Sequence, residues 1–243
     1  MPVLLEKTKG IVLQQIKYSD SRVIVHIYTE QHGRRAFMLR KPKSKKTGSS
    51  LNIIQPLFLL EIEAQIKEKR EIQQARELRN YPHFTDIPFN VVKSTIAIFL
   101  AEVLARVLKE EEANPELFNF LFHAILLLDE EKEYFANFHL LFLFELSKYL
   151  GFYPDKDFSE NKKYFDISEG KYAAKKGVKF LLNEKESKLL TLLSGKGFHQ
   201  LNEIKLNRLQ RQYLLDILLR YYYYHLPEMG RLKSLRVLKE IFN

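Results

Sequence analysis

Ile11-Val12-Leu13-Gln14-Gln15-Ile16-Lys17-Tyr18, the turn cluster Ser19-Asp20-Ser21, and Val23-Ile24-Val25-His26-Ile27-Tyr28-Thr29 read as two strands and the reversal between them. The second run is β-branched and alternates, the pattern of a half-buried strand. Gln31-His32-Gly33 predicts the next reversal, and Arg35 to Arg40 a third strand. A fourth candidate runs from Ile54 to Glu63, with Pro56 marking a strand start or an edge. Arg70 to Leu78 is a fifth, although its Gln, Glu and Arg suit a helix equally well. Five short strands without room for crossover helices predict a small antiparallel barrel with five-stranded, OB-type closure. Its core would be small, and docking against the next domain is expected to support it.

Tyr81-Pro82-His83 to Pro88 is a break bracketed by two prolines, and after it the period changes. Ile96, Phe99, Leu100, Val103, Leu104, Val107 and Leu108 form an amphipathic helical stripe. Asn114-Pro115-Glu116 reads as an N-cap followed by Pro at the first helical position, opening a helix to Leu128. A third helix is predicted from about Glu131 to Leu150, stopped by Gly151. Residues 151–182 are polar and hold Tyr164-Phe165-Asp166-Ile167-Ser168-Glu169-Gly170-Lys171-Tyr172, a hairpin-like insertion. Helices resume at Asn183, which has capping-box spacing to Glu186, then cover Leu206 to His225 and Leu232 to Phe242. The fold class is therefore α+β: a barrel domain over 1–80 and a helical domain over 81–243.

With 243 residues and an apolar fraction of 46%, the chain is long enough to bury a core and too apolar to be disordered. It contains no Cys, which excludes disulfides and thiolate metal sites and fits a reducing compartment. The apolar run at the N-terminus is too short for a secretory signal, and no segment is long enough for a membrane span. A soluble intracellular protein is expected. The net charge of +9 is uneven: residues 1–80 carry 16 Lys/Arg and 8 Asp/Glu, 81–195 carry 14 and 18, and 196–243 carry 9 and 4. Two basic ends around an acidic middle suit a negatively charged partner.

The densest charge is Arg34-Arg35-Ala36-Phe37-Met38-Leu39-Arg40-Lys41-Pro42-Lys43-Ser44-Lys45-Lys46, with seven cations and no acid. A strand running into a Pro/Ser loop cannot bury that charge, so Arg34, Arg35, Arg40, Lys41, Lys43, Lys45 and Lys46 are candidates for phosphate contact. A loop kept basic for solubility is the plainer alternative. Phe37 could stack on a base if it faced out, but alternation assigns it to the core. Arg208, Arg211, Arg231, Lys233 and Arg236 form a secondary candidate set on C-terminal helices, where a solvated helix face explains them equally well. Of tyrosines 221–224 at least one must be core, since a helix cannot present all four on one side. The histidines show no ligand spacing, and His123 and His139 are expected to be packed, hydrogen-bonded core residues. Asp129-Glu130-Glu131 reads as a solvated inter-helix turn. Phosphate-cradling and nucleophile-elbow signatures are missing, so no enzyme, cofactor or metal is expected.

Several segments together resemble the bacterial recombination mediator RecO family: Lys7-Thr8-Lys9-Gly10-Ile11-Val12-Leu13, Tyr18-Ser19-Asp20-Ser21, Ile27 to Gly33, the basic run followed by Leu51 and Gln55-Pro56-Leu57, Leu150-Gly151-Phe152-Tyr153-Pro154, and Lys233 to Leu238. The resemblance implies an N-terminal OB-fold, binding of single- and double-stranded DNA, and annealing of strands coated with single-strand-binding protein. It also implies contact with that protein's C-terminal tail, work with RecR, and loading of RecA at gaps in a bacterial, nucleoid-associated setting. Many members carry a four-cysteine zinc module after the Leu-Gly-x-x-Pro segment. Here Asp155 to Lys176 has neither Cys nor His, so the expectation is a hairpin held by packing through Tyr164, Phe165 and Tyr172. Two functions from different classes remain: a non-enzymatic DNA-annealing factor, or a protein-interaction adaptor for RecR and single-strand-binding protein with incidental DNA contact. An RNA-binding OB protein is a third reading that composition does not separate.

Overall fold

The computed structural model describes residues 5–40, 53–67, 69–174 and 180–242. The chain divides into two compact units, Met1–Glu130 and Glu131–Asn243.

In the first unit, β1 (Glu6–Lys17), β2 (Arg22–Thr29), β3 (Gly33–Arg40), β4 (Leu59–Gln65) and β5 (Ile72–Asn80) close into a barrel of strand order β1-β2-β3-β5-β4. Neighbours are antiparallel except β3 and β5, which meet in parallel at Ala36↔Ile72 and Phe37↔Gln73. This is the expected OB-type closure. Alternation sends Val25, Ile27, Phe37, Leu60 and Ile62 inward, and Phe37 is fully buried. The fourth strand starts later than Ile54. Leu57 turns the chain with a φ of 62°, and its N–H donates to the Val12 carbonyl at 2.8 Å. β5 is a strand despite its composition because β4 pairs with it from Leu60↔Asn80 to Gln65↔Gln74. Its outward arginines reach across to β4, Arg76 to Glu63 and Arg79 to Glu61.

Two helices complete this unit. Asn90 caps α1 (Val91–Val107), its Oδ1 accepting from the N–H groups of Val92 and Lys93. Asn114 caps α2 (Pro115–Glu130), accepting from Leu117 N–H at 3.0 Å. The expected solvated turn at Asp129 is corrected here. Asp129 lies in the last turn of α2, buried, and accepts from Thr85 N–H and Oγ–H, Asp86 N–H and Ile87 N–H. The fully buried Lys93 donates to the Asp129 carbonyl at 2.9 Å and pairs with Asp86 at 2.6 Å. Burial alone would raise the Asp129 pKa, but the three backbone N–H groups and the Thr85 hydroxyl hold it below the ordinary carboxylate value.

In the second unit the third helix, α3 (Phe138–Tyr149), begins later than Glu131. The Glu131 carboxylate accepts from the N–H groups of Glu133 and Tyr134, folding those residues into a turn ahead of the 3-10 segment Phe135–Asn137. The helix stops at Gly151, whose φ of 86° favours glycine. The insertion forms a hairpin of β6 (Tyr164–Asp166) and β7 (Lys171–Ala173). Phe165 and Tyr172 are buried and meet at 5.1 Å, and Phe165 packs on Tyr221 at 5.5 Å; Tyr164 is only partly covered. Capping boxes at Asn183/Glu186 and Asn207/Gln210 open α4 (Glu184–Thr191) and α5 (Arg208–His225), and α6 (Leu235–Ile241) follows. Tyr221 and Tyr222 are core, their hydroxyls donating to the carbonyls of Phe152 and Leu143 at 2.7 Å, whereas Tyr224 is exposed. His139 is buried against Phe242, but His123 is exposed, correcting its placement in the core. Among the described residues no helix is long and apolar enough to cross a membrane.

Candidate nucleic-acid interface

The basic run divides along β3. At its start, Arg34 is half-buried and donates through Nη1 to the carbonyls of Ala105 and Leu108 at 2.9 and 3.0 Å, the open carbonyls at the end of α1. Burial pulls its guanidinium pKa below the ordinary value. Arg35 is buried, paired with the Glu111 carboxylate, and donates to the Glu111 carbonyl at 3.0 Å. Gly33 makes this approach possible. Its φ is 60°, and a Cβ there would meet the Glu112 carbonyl oxygen at 2.3 Å. Arg34, through Nη1, and Arg35, through Nη1 and Nη2, thus fasten the barrel to residues 105–112, while the buried Arg35 Nε has no protein partner among the described residues. Arg40, at the far end of the strand, is exposed. Lys41, Lys43, Lys45 and Lys46 lie outside the described residues.

Around Arg40 the register gathers cations that are scattered in sequence. Arg22 opens β2 directly opposite Arg40. Arg70 comes from the β4–β5 loop, and the three arginines line a groove of about 570 Å³ whose other walls include Met38, Ile72 and Gln74. No acid is among the described residues lining it. The loop carrying Arg70 is held from beneath. Fully buried Gln73 donates to the carbonyls of Lys67 and Arg70 at 2.9 and 2.5 Å and accepts from Lys67 N–H at 3.0 Å. Lys67 and Lys69 flank Arg70 in the β4–β5 connection, and Lys17 is paired with Asp20 across the β1–β2 turn. That turn also exposes Tyr18.

Sequence reasoning passed over Arg22, Arg70 and Tyr18. The readable signal was their position: each borders the β1–β2 or β4–β5 connection, the loops that ring the binding mouth of an OB barrel. Three arginines on one groove, with no acid among its described lining residues, suit an extended polyanion. Elsewhere the barrel is different. A second cleft of about 360 Å³ mixes Lys7, Lys9 and Arg79 with Glu30, Glu61, Glu63 and Glu77, so its cations are largely neutralised.

In the second unit, Arg211 is half-buried, donates to Asn137 Oδ1 at 2.8 Å and lies over the Phe242 ring, which makes it a packing residue. Arg236 faces Glu240 at 3.7 Å on an exposed helix face. Arg208, Arg231 and Lys233 are exposed.

Two family models match the chain, one described as "Recombination protein O N terminal" over residues 1–80 and one as "Recombination protein O C terminal" over residues 88–236. The DNA repair protein RecO of Bacteroides fragilis is 40% identical over 243 residues, spanning 99% of this chain and 100% of the relative. That of Flavobacterium psychrophilum is 40% identical over 238 residues, covering 98% and 99%, and that of Porphyromonas gingivalis 34% identical over 245 residues, covering 97% and 98%.

Proposed function

The chain belongs to the RecO family of DNA repair proteins, and from that premise we propose that the basic pole of its barrel binds DNA by its phosphates during recombinational repair. The observation that carries the reading is that Arg22, Arg40 and Arg70 line one groove with no acid among its described lining residues, at the point where the chain enters the Lys41–Lys46 run. Residues 1–80 would act as the DNA-binding module and 81–243 as its helical partner. A cationic surface holding two strands lowers their mutual repulsion and raises their local concentration, so base pairing itself drives annealing. No catalytic residue, metal or cofactor is needed for that step. In the same reading the protein works on strands coated by single-strand-binding protein, cooperates with RecR, and helps RecA load at gaps.

The test is binding and annealing of oligonucleotides across a salt series. If about four to six phosphates are neutralised, log K for single strands falls against log salt with a slope of roughly −3 to −4. The triple variant Arg22→Gln/Arg40→Gln/Arg70→Gln is expected to make that slope shallower by about 2 and to slow annealing. A folded triple variant that binds and anneals like the parent would remove this groove from the mechanism.

A second reading, the adaptor for RecR or single-strand-binding protein, draws on an apolar groove lined by Phe58, Phe84, Ile87, Phe89 and Ile98, with Phe89 81% exposed. It is favoured if the protein binds the partner's tail peptide or RecR tightly and naked oligonucleotide hardly at all.

A further inference from the structure

Tyr18, Arg22 and Arg40 lie in one row across three strands. The β1–β2 register runs to Lys17↔Val23, and the N–H of Tyr18 then donates to the Arg22 carbonyl at 3.2 Å, which sets Tyr18 opposite Arg22. Arg22 in turn faces Arg40. Directly opposed residues project from the same side of a sheet. Two residues further in, Ile16, Ile24 and Met38 make a second row on that side. The outer face of β1–β2–β3 therefore presents an aromatic ring and an apolar floor edged by guanidinium groups.

This arm stands proud of the barrel. β1 pairs with β4 only from Glu6 to Ile11; past the irregularity at Val12/Gln14 it pairs with β2, and residues 14–18 are all exposed. Tyr18 is 59% exposed and Ile16 43%. Next to the polar turn Ser19-Asp20-Ser21, Tyr18 and Ile16 contribute little burial to the fold.

Resting on the reading that this pole binds DNA, we propose that Tyr18, with Ile16 beside it, stacks on an unpaired base while Arg22 and Arg40 hold the flanking phosphates, so that the site selects single strands over duplex. A base inside a duplex is stacked on both faces and offers none to a side chain. An unpaired base offers one whatever its identity, so the contact favours single strands without reading sequence.

The experiment uses the full chain and three fluorescent polymers of equal length: oligo-dT, an abasic sugar–phosphate strand, and a duplex. The parent is expected to bind oligo-dT about ten-fold tighter than the abasic strand, the scale of one stacked base. Tyr18→Ala should lose about that factor on oligo-dT, leave the abasic strand and duplex unchanged, and keep the parent's salt slope and melting temperature. Tyr18→Phe should restore it, since the ring and not the hydroxyl makes the contact. Equal binding of oligo-dT and abasic strand by the parent, or an equal effect of Tyr18→Ala on all three polymers, overturns the stacking proposal while leaving phosphate binding intact. Failure of the parent to bind any of the three overturns the DNA reading and this proposal with it.

Discussion

Arg34 and Arg40 stand six residues apart on β3, carry the same charge, and face the same way. The structure nevertheless predicts opposite consequences when each is changed to Gln. Arg34 donates to two carbonyls at the end of α1, at 2.9 and 3.0 Å. A hydrogen bond from a charged donor contributes about 1.5–3 kcal/mol, and a shorter neutral amide cannot span both acceptors. Arg34→Gln should therefore cost about 3 kcal/mol, which for a unit of this size lowers the melting temperature by roughly 10 °C. Its effect on the salt dependence of DNA binding should be negligible, because this guanidinium faces protein oxygen. Arg40 is exposed, and Arg40→Gln should leave stability within about 0.5 kcal/mol. It should, however, make the single-strand salt slope shallower by about 0.7, one phosphate's share. Circular dichroism melts read the first quantity, and anisotropy titrations between about 50 and 200 mM salt read the second. If Arg34→Gln melts with the parent and weakens DNA binding as Arg40→Gln does, then Arg34 is a phosphate ligand and its assignment to α1 is wrong.

That contrast marks what was legible in the chain. Alternation disclosed β2 and β3 because their inward residues Val23, Val25, Ile27 and Phe37 are apolar and buried, and their outward neighbours, apart from Ile24 and Met38, are polar, small or amphipathic. β5 was ambiguous because its inner face is shallow: Gln73 is its one fully buried position, and its identity as a strand comes from β4, distant in sequence. The cationic run looked uniform because sequence shows charges in order without showing what approaches them. Arg35 meets Glu111 across 76 positions, a contact no local pattern reports. Arg22 and Arg70 escaped notice for the converse reason: each lies far from Arg40 in sequence, and only the β2–β3 register sets Arg22 opposite it while Arg70 lines the same groove. Asp129 was within reach. Leu121, Ile125 and Asp129 are spaced by four along α2, so the buried stripe runs straight onto the acid. His123 falls off that stripe, which is why it is exposed.

Gln73→Leu removes no charge, yet it frees the loop that carries Arg70 by deleting three hydrogen bonds. The expected result is a loss of about 1–3 kcal/mol in stability and a several-fold weaker affinity for DNA, with the salt slope kept; an affinity equal to the parent's would mean Arg70 needs no fixed loop. Asp129→Asn probes the buried junction of the 81–88 segment with α1 and α2. The carboxylate accepts four donors, two on each oxygen. An amide presents its own N–H groups to one of those pairs, so the substitution should cost about 2–4 kcal/mol at neutral pH. The sign of the pH effect follows from the lowered folded pKa. The stabilisation is complete above the unfolded carboxylate value near 4 and is lost as pH falls through the lower folded value. The parent should therefore lose stability on acidification from about pH 4 downward, and Asp129→Asn should show a flatter profile over that window. Urea melts of both proteins at pH 7 and through the acid range decide the matter: parallel curves would mean that the carboxylate's charge contributes nothing to holding this turn.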